Sequence, residues 1–339
     1  MENSIAEMKL DTVDKNQKND KPIVHLYMRG ACGNQFFQYA FARNLVEQLN
    51  ADLEINYHYV RIDKNLWEGS DNLLCDFNVM PYAYKTGIDK GIIIITLIRW
   101  IRNVLRLKDF RIRTYKAMVR WADILSGFGI YYFDAAYYPF KPCNKKNIYV
   151  FGYFESAKYF GDIDGKIKEE LAPIHNTLKS NSKMLDTICT NQSVCVTIKR
   201  QDIENDKISS IYDYSMEYFY SGIEYIKSKV ENPVFVIFSD DIQWCKSNLR
   251  IDGTVIYENE GNPIWEKIRL MSSCKHFIIH NSTFSWWVQH LSDNPNKIVI
   301  APSLWMKRND QPIDIYEDNW VFLDGSGKIA MSKEDNYFG

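Results

Sequence analysis

From residue 194 onward the chain alternates between β-rich runs and helical patterns, and that alternation narrows its fold more than any other feature. The runs cover 194–198, 234–238, 254–257, 277–279 and 298–301, with helical periodicity between them over 215–229 and 263–273. Alternation at this spacing predicts a mostly parallel sheet with helices on both faces. Ligands of such sheets bind at the carboxyl ends of the strands. A second block begins at Ile23. There a short run to Tyr27 feeds a loop with Gly30 and Gly33, then an apolar helical pattern carrying Phe36, Phe37, Ala40 and Phe41. Strand, glycine loop and helix bring backbone N–H groups up to an anionic ligand. The loop lacks the Gly-Lys-Ser/Thr of a Walker A motif and is not a full G-x-G-x-x-G.

At 339 residues the chain accommodates two domains of ordinary size. A polar stretch rich in Ser, Asn and Thr over 179–193 marks the expected boundary. We therefore read 1–21 as a disordered extension, 22–190 as an N-terminal α/β domain, and 191–339 as a C-terminal α/β domain. Charge is balanced, with a formal net charge of −2. Aromatics reach 14%, which suits both core packing and carbohydrate-facing surfaces. The seven cysteines, Cys32, Cys75, Cys143, Cys189, Cys195, Cys245 and Cys274, are scattered and lack C-x-x-C spacing. That argues against a disulfide framework and a structural zinc site and favours a reducing, cytoplasmic compartment. The polar N-terminus has no signal-peptide h-region, and no run is long enough to span a membrane.

The middle of the N-terminal domain carries a basic amphipathic insertion at about 90–120. An apolar run over 92–98 leads into Arg99, Arg102, Arg106, Lys108, Arg111, Arg113, Lys116 and Arg120, opposed by Asp109 alone. Two readings stand side by side: a helix lying on an anionic membrane surface, and a solvated helix covering the domain. No nucleic-acid motif accompanies the patch, so nucleic acid is not an expected partner.

Three segments of the second block carry candidate chemistry. The run over 194–198 ends in Lys199, Arg200 and Asp202, placing cations at the carboxyl end of a strand, where a ligand phosphate would sit. Arg grips two oxygens at once; Lys is a point charge. The run over 234–238 ends in Ser239, Asp240 and Asp241; one carboxylate there can meet a nucleoside, and one is expected to cap the following helix. The run over 277–279 ends at His280, after which Asn281, Ser282 and Thr283 open a helix with Trp286 and Trp287. Hydroxyl residues at a helix start can cap it and can hydrogen-bond a phosphate. The two tryptophans, inside a helix, read as core anchors rather than sugar platforms. His25, His276, His280 and His290 lack metal-ligand spacing, and no G-x-S-x-G elbow is present.

Taken together these segments resemble the family 11 glycosyltransferases, the α-1,2-fucosyltransferases. The resemblance rests on Gly-x-x-Gly-Asn-Gln-Phe-Phe-Gln-Tyr-Ala from Gly30, Phe-Gly-Tyr-Phe-Glu-Ser-Ala-Lys-Tyr-Phe over 151–160, Phe-Ser-Asp-Asp-Ile-x-Trp-Cys-Lys over 238–246, and His-Asn-Ser-Thr-Phe-Ser-Trp-Trp over 280–287. It implies a GT-B-like α/β fold, two Rossmann-like domains facing across a cleft, with the acceptor side in the N-terminal domain and the nucleotide sugar on the C-terminal one. It implies GDP-fucose as donor, a galactoside as acceptor, inversion at the anomeric carbon, and no cofactor or required metal. By that analogy Gly33 and Asn34 approach the donor, Asp240 meets the guanosine, and Ser282 and Thr283 hold the diphosphate. Lys199, Arg200, Ser282 and Thr283 would share the charge of the leaving diphosphate. Asp202, Glu204 and His25 are candidates for the base. The expected setting is bacterial surface-polysaccharide assembly, with the enzyme peripheral on the inner membrane face.

One block departs from the family. Its usual His-x-Arg-Arg-Gly-Asp-Tyr reads Thr-Ile-Lys-Arg-Gln-Asp-Ile over 197–203. Thr197 and Lys199 replace the His and the first Arg; Arg200 and Asp202 match. Lys199 keeps the charge and loses the fork. Two alternatives therefore stay open: a different nucleotide-sugar donor, or a non-catalytic glycan- or nucleotide-binding protein.

Overall fold

The computed structural model describes residues 21–62, 72–104, 112–134, 137–199, 215–305 and 314–331. The chain divides into two compact units, 1–172 and 173–339. The expected extension over 1–21 lies outside the described residues apart from Lys21.

The first unit is built on a five-stranded, all-parallel sheet in the order β3-β2-β1-β5-β4. Its strands are β1 (Ile23–Tyr27), β2 (Asp52–Asn56), β3 (Ala83–Lys85), β4 (Ile130–Phe133) and β5 (Asn147–Gly152). Helix α1 (Cys32–Leu49) packs along β1 and is buried on nearly every side, with Phe36, Phe37, Tyr39 and Ala40 fully enclosed. Burial of this kind explains why its apolar pattern is broad rather than a narrow stripe. The short α2 (His58–Ile62) follows β2.

The basic insertion is two helices, α3 (Lys90–Val104) and α4 (Ile112–Gly127), rather than one. Helix α3 turns Ile92, Ile95 and Ile98 into a core cluster with Tyr27, Leu125, Tyr132 and Phe151. Its N-terminus is fixed by Asp89, which accepts from the Ile92 N–H and the Tyr27 hydroxyl. Gly91 permits this, because a Cβ there would strike the Tyr27 side chain. The covering role is thus real, while Ile93, Leu97, Trp100 and Val104 remain exposed along a different face. No helix among the described residues is long and apolar enough to cross a membrane.

The expected boundary after residue 190 falls too late. After α5 (Asp164–Glu170) the first unit ends at Ala172, and the polar stretch holds α6 (Ser182–Thr190), which packs on the second unit. Buried Asn181 explains this: its amide donates to Asn262 and Glu266, tying the stretch to the second unit's interior. Composition reads as linker, but these polar side chains are hydrogen-bonding anchors.

The second unit has a six-stranded parallel sheet: β6 (Gln192–Ile198), β7 (Pro233–Ser239), β8 (Thr254–Tyr257), β9 (His276–Ile278), β10 (Val299–Pro302) and β11 (Val321–Leu323). Their order is β11-β10-β9-β6-β7-β8. Numbered from β6, this is the 3-2-1-4-5-6 order of a Rossmann sheet. Helices α7 (Met216–Lys229), α8 (Ile242–Asn248), α9 (Ile264–Ser272) and α10 (Thr283–His290) connect the strands. The core joins Val194, Val196 and Ile198 to Phe235, Ile237, Ile278 and the α7 side chains Tyr218, Phe219, Ile223 and Ile226. Both units are Rossmann-like, the domain inventory of a GT-B-like chain.

Candidate functional site

In the second unit the strand order reverses between β6 and β9, and ligands of such sheets bind at the carboxyl ends of the strands at that switch point. Val196 is in register with Ile278, so Lys199 and the 280–283 turn emerge side by side. The Thr197 hydroxyl lies 3.0 Å from Nδ1 of His280 and accepts from the His280 backbone N–H at 3.2 Å. Ser285 Oγ contacts the same ring nitrogen at 3.1 Å. Burial and the nearby Lys199 ammonium push the His280 pKa down to about 3, so the ring is neutral. Thr197, the departure from the family's His, is therefore a structural fastener between the two central strands.

Ser282 is the N-cap of α10 and accepts from the Phe284 N–H at 3.2 Å. Capping uses an acceptor lone pair, which leaves the O–H able to donate to an anion. Thr283 is the first helical residue, and the first-turn N–H groups carry the helix's positive end. Buried Asn281 steadies the turn by donating to the carbonyls of Leu304 and Trp305. Trp286 and Trp287 are fully buried, and Trp286 donates to Ile315 O at 2.7 Å. They are core anchors, as read from the sequence.

One strand over, at the end of β7, the acidic pair divides its work. Asp241 caps α8 by accepting from the Trp244 N–H at 2.9 Å. Asp240 is exposed at the strand end. The structure thus brings Lys199, Asp240, Ser282 and Thr283 to one edge of one sheet. Arg200 and Asp202, with Glu204, lie outside the described residues.

The glycine segment of the first unit differs from its expected form. Gly33 and Asn34 are not in the loop; they form the first turn of α1, behind the N-cap Ala31, which makes no side-chain cap. The loop proper is short and rigid. Gly30 has φ +76°, and Gln35 donates to its carbonyl at 2.9 Å. A Cβ at Gly30 would lie 2.6 Å from the Asn34 amide nitrogen. Gln35, together with Gln38 on the Arg29 backbone, does this fastening, a role that glycine spacing alone does not reveal. His25, considered as a base, sits mid-strand with both ring nitrogens engaged, by Glu54 at 2.7 Å and Asn147 at 2.9 Å.

Sequence reasoning also passed over a polar group at the carboxyl edge of the first sheet. Arg29 donates to the Tyr153 hydroxyl at 2.6 Å and stacks over the Tyr153 ring at 4.2 Å. Asp134, just past β4, pairs with Arg102 at 3.6 Å, and Glu155 follows β5. Among the described residues no three His, Cys, Asp or Glu side chains gather as a metal site would require.

Comparison with known proteins shows the family. The family model for glycosyl transferase family 11 matches residues 23–324. The chain is 27% identical over 310 residues to an alpha-1,2-colitosyltransferase of Escherichia coli, covering 89% of this chain and 99% of that protein. It is 29% identical over 312 residues to the O-antigen biosynthesis glycosyltransferase WbnK of Escherichia coli, covering 87% and 99%. Human galactoside alpha-(1,2)-fucosyltransferase 1 matches at 30% over 78 residues, 22% of this chain and 21% of that protein. Among solved structures, fucosyltransferase NodZ from Bradyrhizobium is similar at 12% identity and a TM-score of 0.45, over 81% of this chain and 97% of that one. The chain belongs to glycosyltransferase family 11.

Proposed function

We propose that this protein is an inverting transferase that moves L-fucose from GDP-fucose to a galactoside hydroxyl in α-1,2 linkage, during assembly of a bacterial surface polysaccharide. The observation that carries this reading is the meeting of Lys199 with the Ser282-capped end of α10 at the β6/β9 switch point. A leaving diphosphate gathers negative charge as the glycosidic bond breaks. A fixed cation, a hydroxyl and first-turn N–H groups aimed at one place stabilise that charge without reorganising. Asp240, exposed one strand away, is suited to accept from a guanosine, and Arg200 and Asp202 complete the donor side by the family motif. By the family analogy Gly33 and Asn34, in the first turn of α1, are the first unit's candidates for donor contact. In this reading no metal takes part, since protein cations do the neutralising. An activity screen with GDP-fucose and galactose-terminated acceptors, with the linkage read by NMR and a repeat in EDTA, tests it. Transfer abolished by Arg200→Ala would eliminate a non-catalytic role.

A second reading keeps the site and changes the sugar. The 27% identity to a colitosyltransferase over nearly the whole chain favours it, as does Lys199 where the family's Arg usually stands. A parallel assay with nucleotide-activated colitose separates the two.

The exposed stripe on α3 suits an anionic lipid surface. Ile93, Leu97, Trp100 and Val104 follow helical spacing, and Trp100 is 60% exposed. Arg99 is exposed beside them, at the start of the strongly basic stretch. Apolar residues flanked by cations bind membranes by insertion together with charge attraction. Such contact would place the enzyme peripherally on the cytoplasmic membrane face, near a lipid-linked glycan acceptor.

A further inference from the structure

In the reading above, the leaving diphosphate meets groups from separate pieces of the chain. Lys199 follows β6, while Ser282 and Thr283 come after β9 and open α10. Groups from separate elements act on one anion only where something sets their spacing. The sheet itself stops short of doing so. The β6/β9 ladder has its last paired residues at Val196 and Ile278, before Lys199 on one strand and Ser282 on the other. Beyond that pair, side chains must join the two strands.

His280 does the joining. Its backbone N–H donates to the Thr197 hydroxyl at 3.2 Å, which leaves the hydroxyl proton available to ring Nδ1 at 3.0 Å. The same ring nitrogen meets Ser285 Oγ at 3.1 Å, and Ser285 is fully buried in the first turn of α10. One imidazole thus ties the end of β6, the turn after β9 and the start of α10. The next residue, Asn281, donates to the carbonyls of Leu304 and Trp305, so the turn is held from both sides.

Nδ1 accepts from these hydroxyls only while the ring is neutral. Burial first, and the Lys199 ammonium second, keep it so, with the pKa pushed down to about 3. The reach of that charge marks Lys199 as a neighbour of the ring. So does its position two residues beyond Thr197, the spacing that returns a strand side chain to the same face. The family's usual block carries an imidazole at position 197, on β6 itself. In this chain the imidazole stands just past the neighbouring strand and reaches back to Thr197.

We propose that His280 is a positioning residue for the diphosphate of the sugar donor: through Thr197 and Ser285 it sets Lys199 and the Ser282–Thr283 turn at the spacing from which both meet one anion. This assignment rests on the transferase reading above, and every residue in it belongs to the second unit. A fastener that only stabilises the fold leaves the GDP affinity of the folded protein unchanged. A positioning residue acts through Lys199, so its loss costs little once Lys199 is gone.

The test is a double-mutant cycle in GDP binding by isothermal titration, with thermal unfolding of each protein measured alongside. The proteins are wild type, His280→Leu, Lys199→Ala and the double variant. His280→Asn is added as the conservative change, because its amide oxygen can accept where Nδ1 does. We expect His280→Leu to weaken GDP binding about tenfold, within the range of coupling in one hydrogen-bond network. In the Lys199→Ala background the same change should shift affinity by no more than about twofold, the scatter of sites that do not interact. His280→Asn should recover most of the lost affinity. His280→Leu affinity within about twofold of wild type, an equal loss in both backgrounds, or His280→Asn as weak as His280→Leu overturns the assignment and leaves the donor reading standing. Where His280→Leu does not fold, Thr197→Val carries the same cycle, since it removes the hydroxyl and keeps the ring. Failure of wild type to bind GDP overturns the donor reading, and this assignment with it.

Discussion

The buried side-chain amide of Gln38 clasps the backbone of Arg29 from both sides: its oxygen accepts from the Arg29 N–H at 3.0 Å, and its nitrogen donates to the Arg29 carbonyl at 2.8 Å. Gln38 is fully buried, two turns into α1, and so ties the end of β1 to the helix that follows. Arg29 is thereby fixed beneath its contacts with Tyr153 and Phe151. Replacing Gln38 with Leu leaves a buried donor and acceptor unmatched, each costing about 1–3 kcal/mol. We expect Gln38→Leu to lower the urea midpoint accordingly, measured by equilibrium unfolding of the two proteins.

The division between the two aspartates after β7 predicts opposite phenotypes. Asp241→Ala should cost about 1 kcal/mol of stability by uncapping α8, with little effect on GDP affinity. Asp240→Ala should leave thermal unfolding unchanged and weaken GDP binding about tenfold. Differential scanning calorimetry and isothermal titration on the two variants check both.

Lys199 stands where a guanidinium is usual, and its charge reaches the ring of His280. Lys199→Ala should weaken GDP binding by about 1.5–3 kcal/mol, the range for a charged hydrogen bond. Lys199→Arg should restore binding and sharpen donor selectivity, because the fork grips two phosphate oxygens. A donor panel on the two variants measures this.

His280 makes stability depend on pH with a definite sign. Its folded pKa, about 3, lies below the ordinary imidazole value of 6.5, so the unfolded chain binds the proton first. Its contribution is therefore fully present above about pH 6.5 and declines as pH falls toward 3, with a limiting slope of about 1.4 kcal/mol per pH unit. His25 has the opposite sign, since its pKa is raised. Comparing wild type with His280→Gln cancels that background. Urea unfolding from pH 7 to 5 should show a steeper loss in wild type than in the variant.

Membrane contact through α3 predicts that Trp100→Asp, in an exposed position, leaves stability unchanged within about 0.5 kcal/mol. The same change should reduce co-flotation with vesicles containing anionic lipid. Equal flotation of wild type on neutral vesicles would show that charge plays no part.

Much of the scaffold was legible along the chain. The runs at Ile23–Tyr27 and Thr254–Tyr257 are strands to the residue, and the other expected strands of the second unit differ by one or two residues at their ends. Buried parallel strands read as unbroken apolar runs, and their linking helices keep their period, so both signals are local. The positions at their carboxyl ends follow from topology, which is why the alternation alone implies that Lys199, Asp240, Ser282 and Thr283 share one sheet edge.

What the tertiary structure decided concerns polar residues whose roles depend on partners far away in sequence. Asn181 turns a linker-like stretch into part of the second unit, and Gln35 and Gln38 set where loop ends and α1 begins. Thr197 replaces a family histidine by fastening to His280, 83 residues onward. The sequence by itself determined the alternating strands and helices, because period and apolar burial are written in neighbouring residues. Hydrogen bonds and electrostatic fields act through space, so the assignment of each polar side chain to cap or fastener required the folded chain.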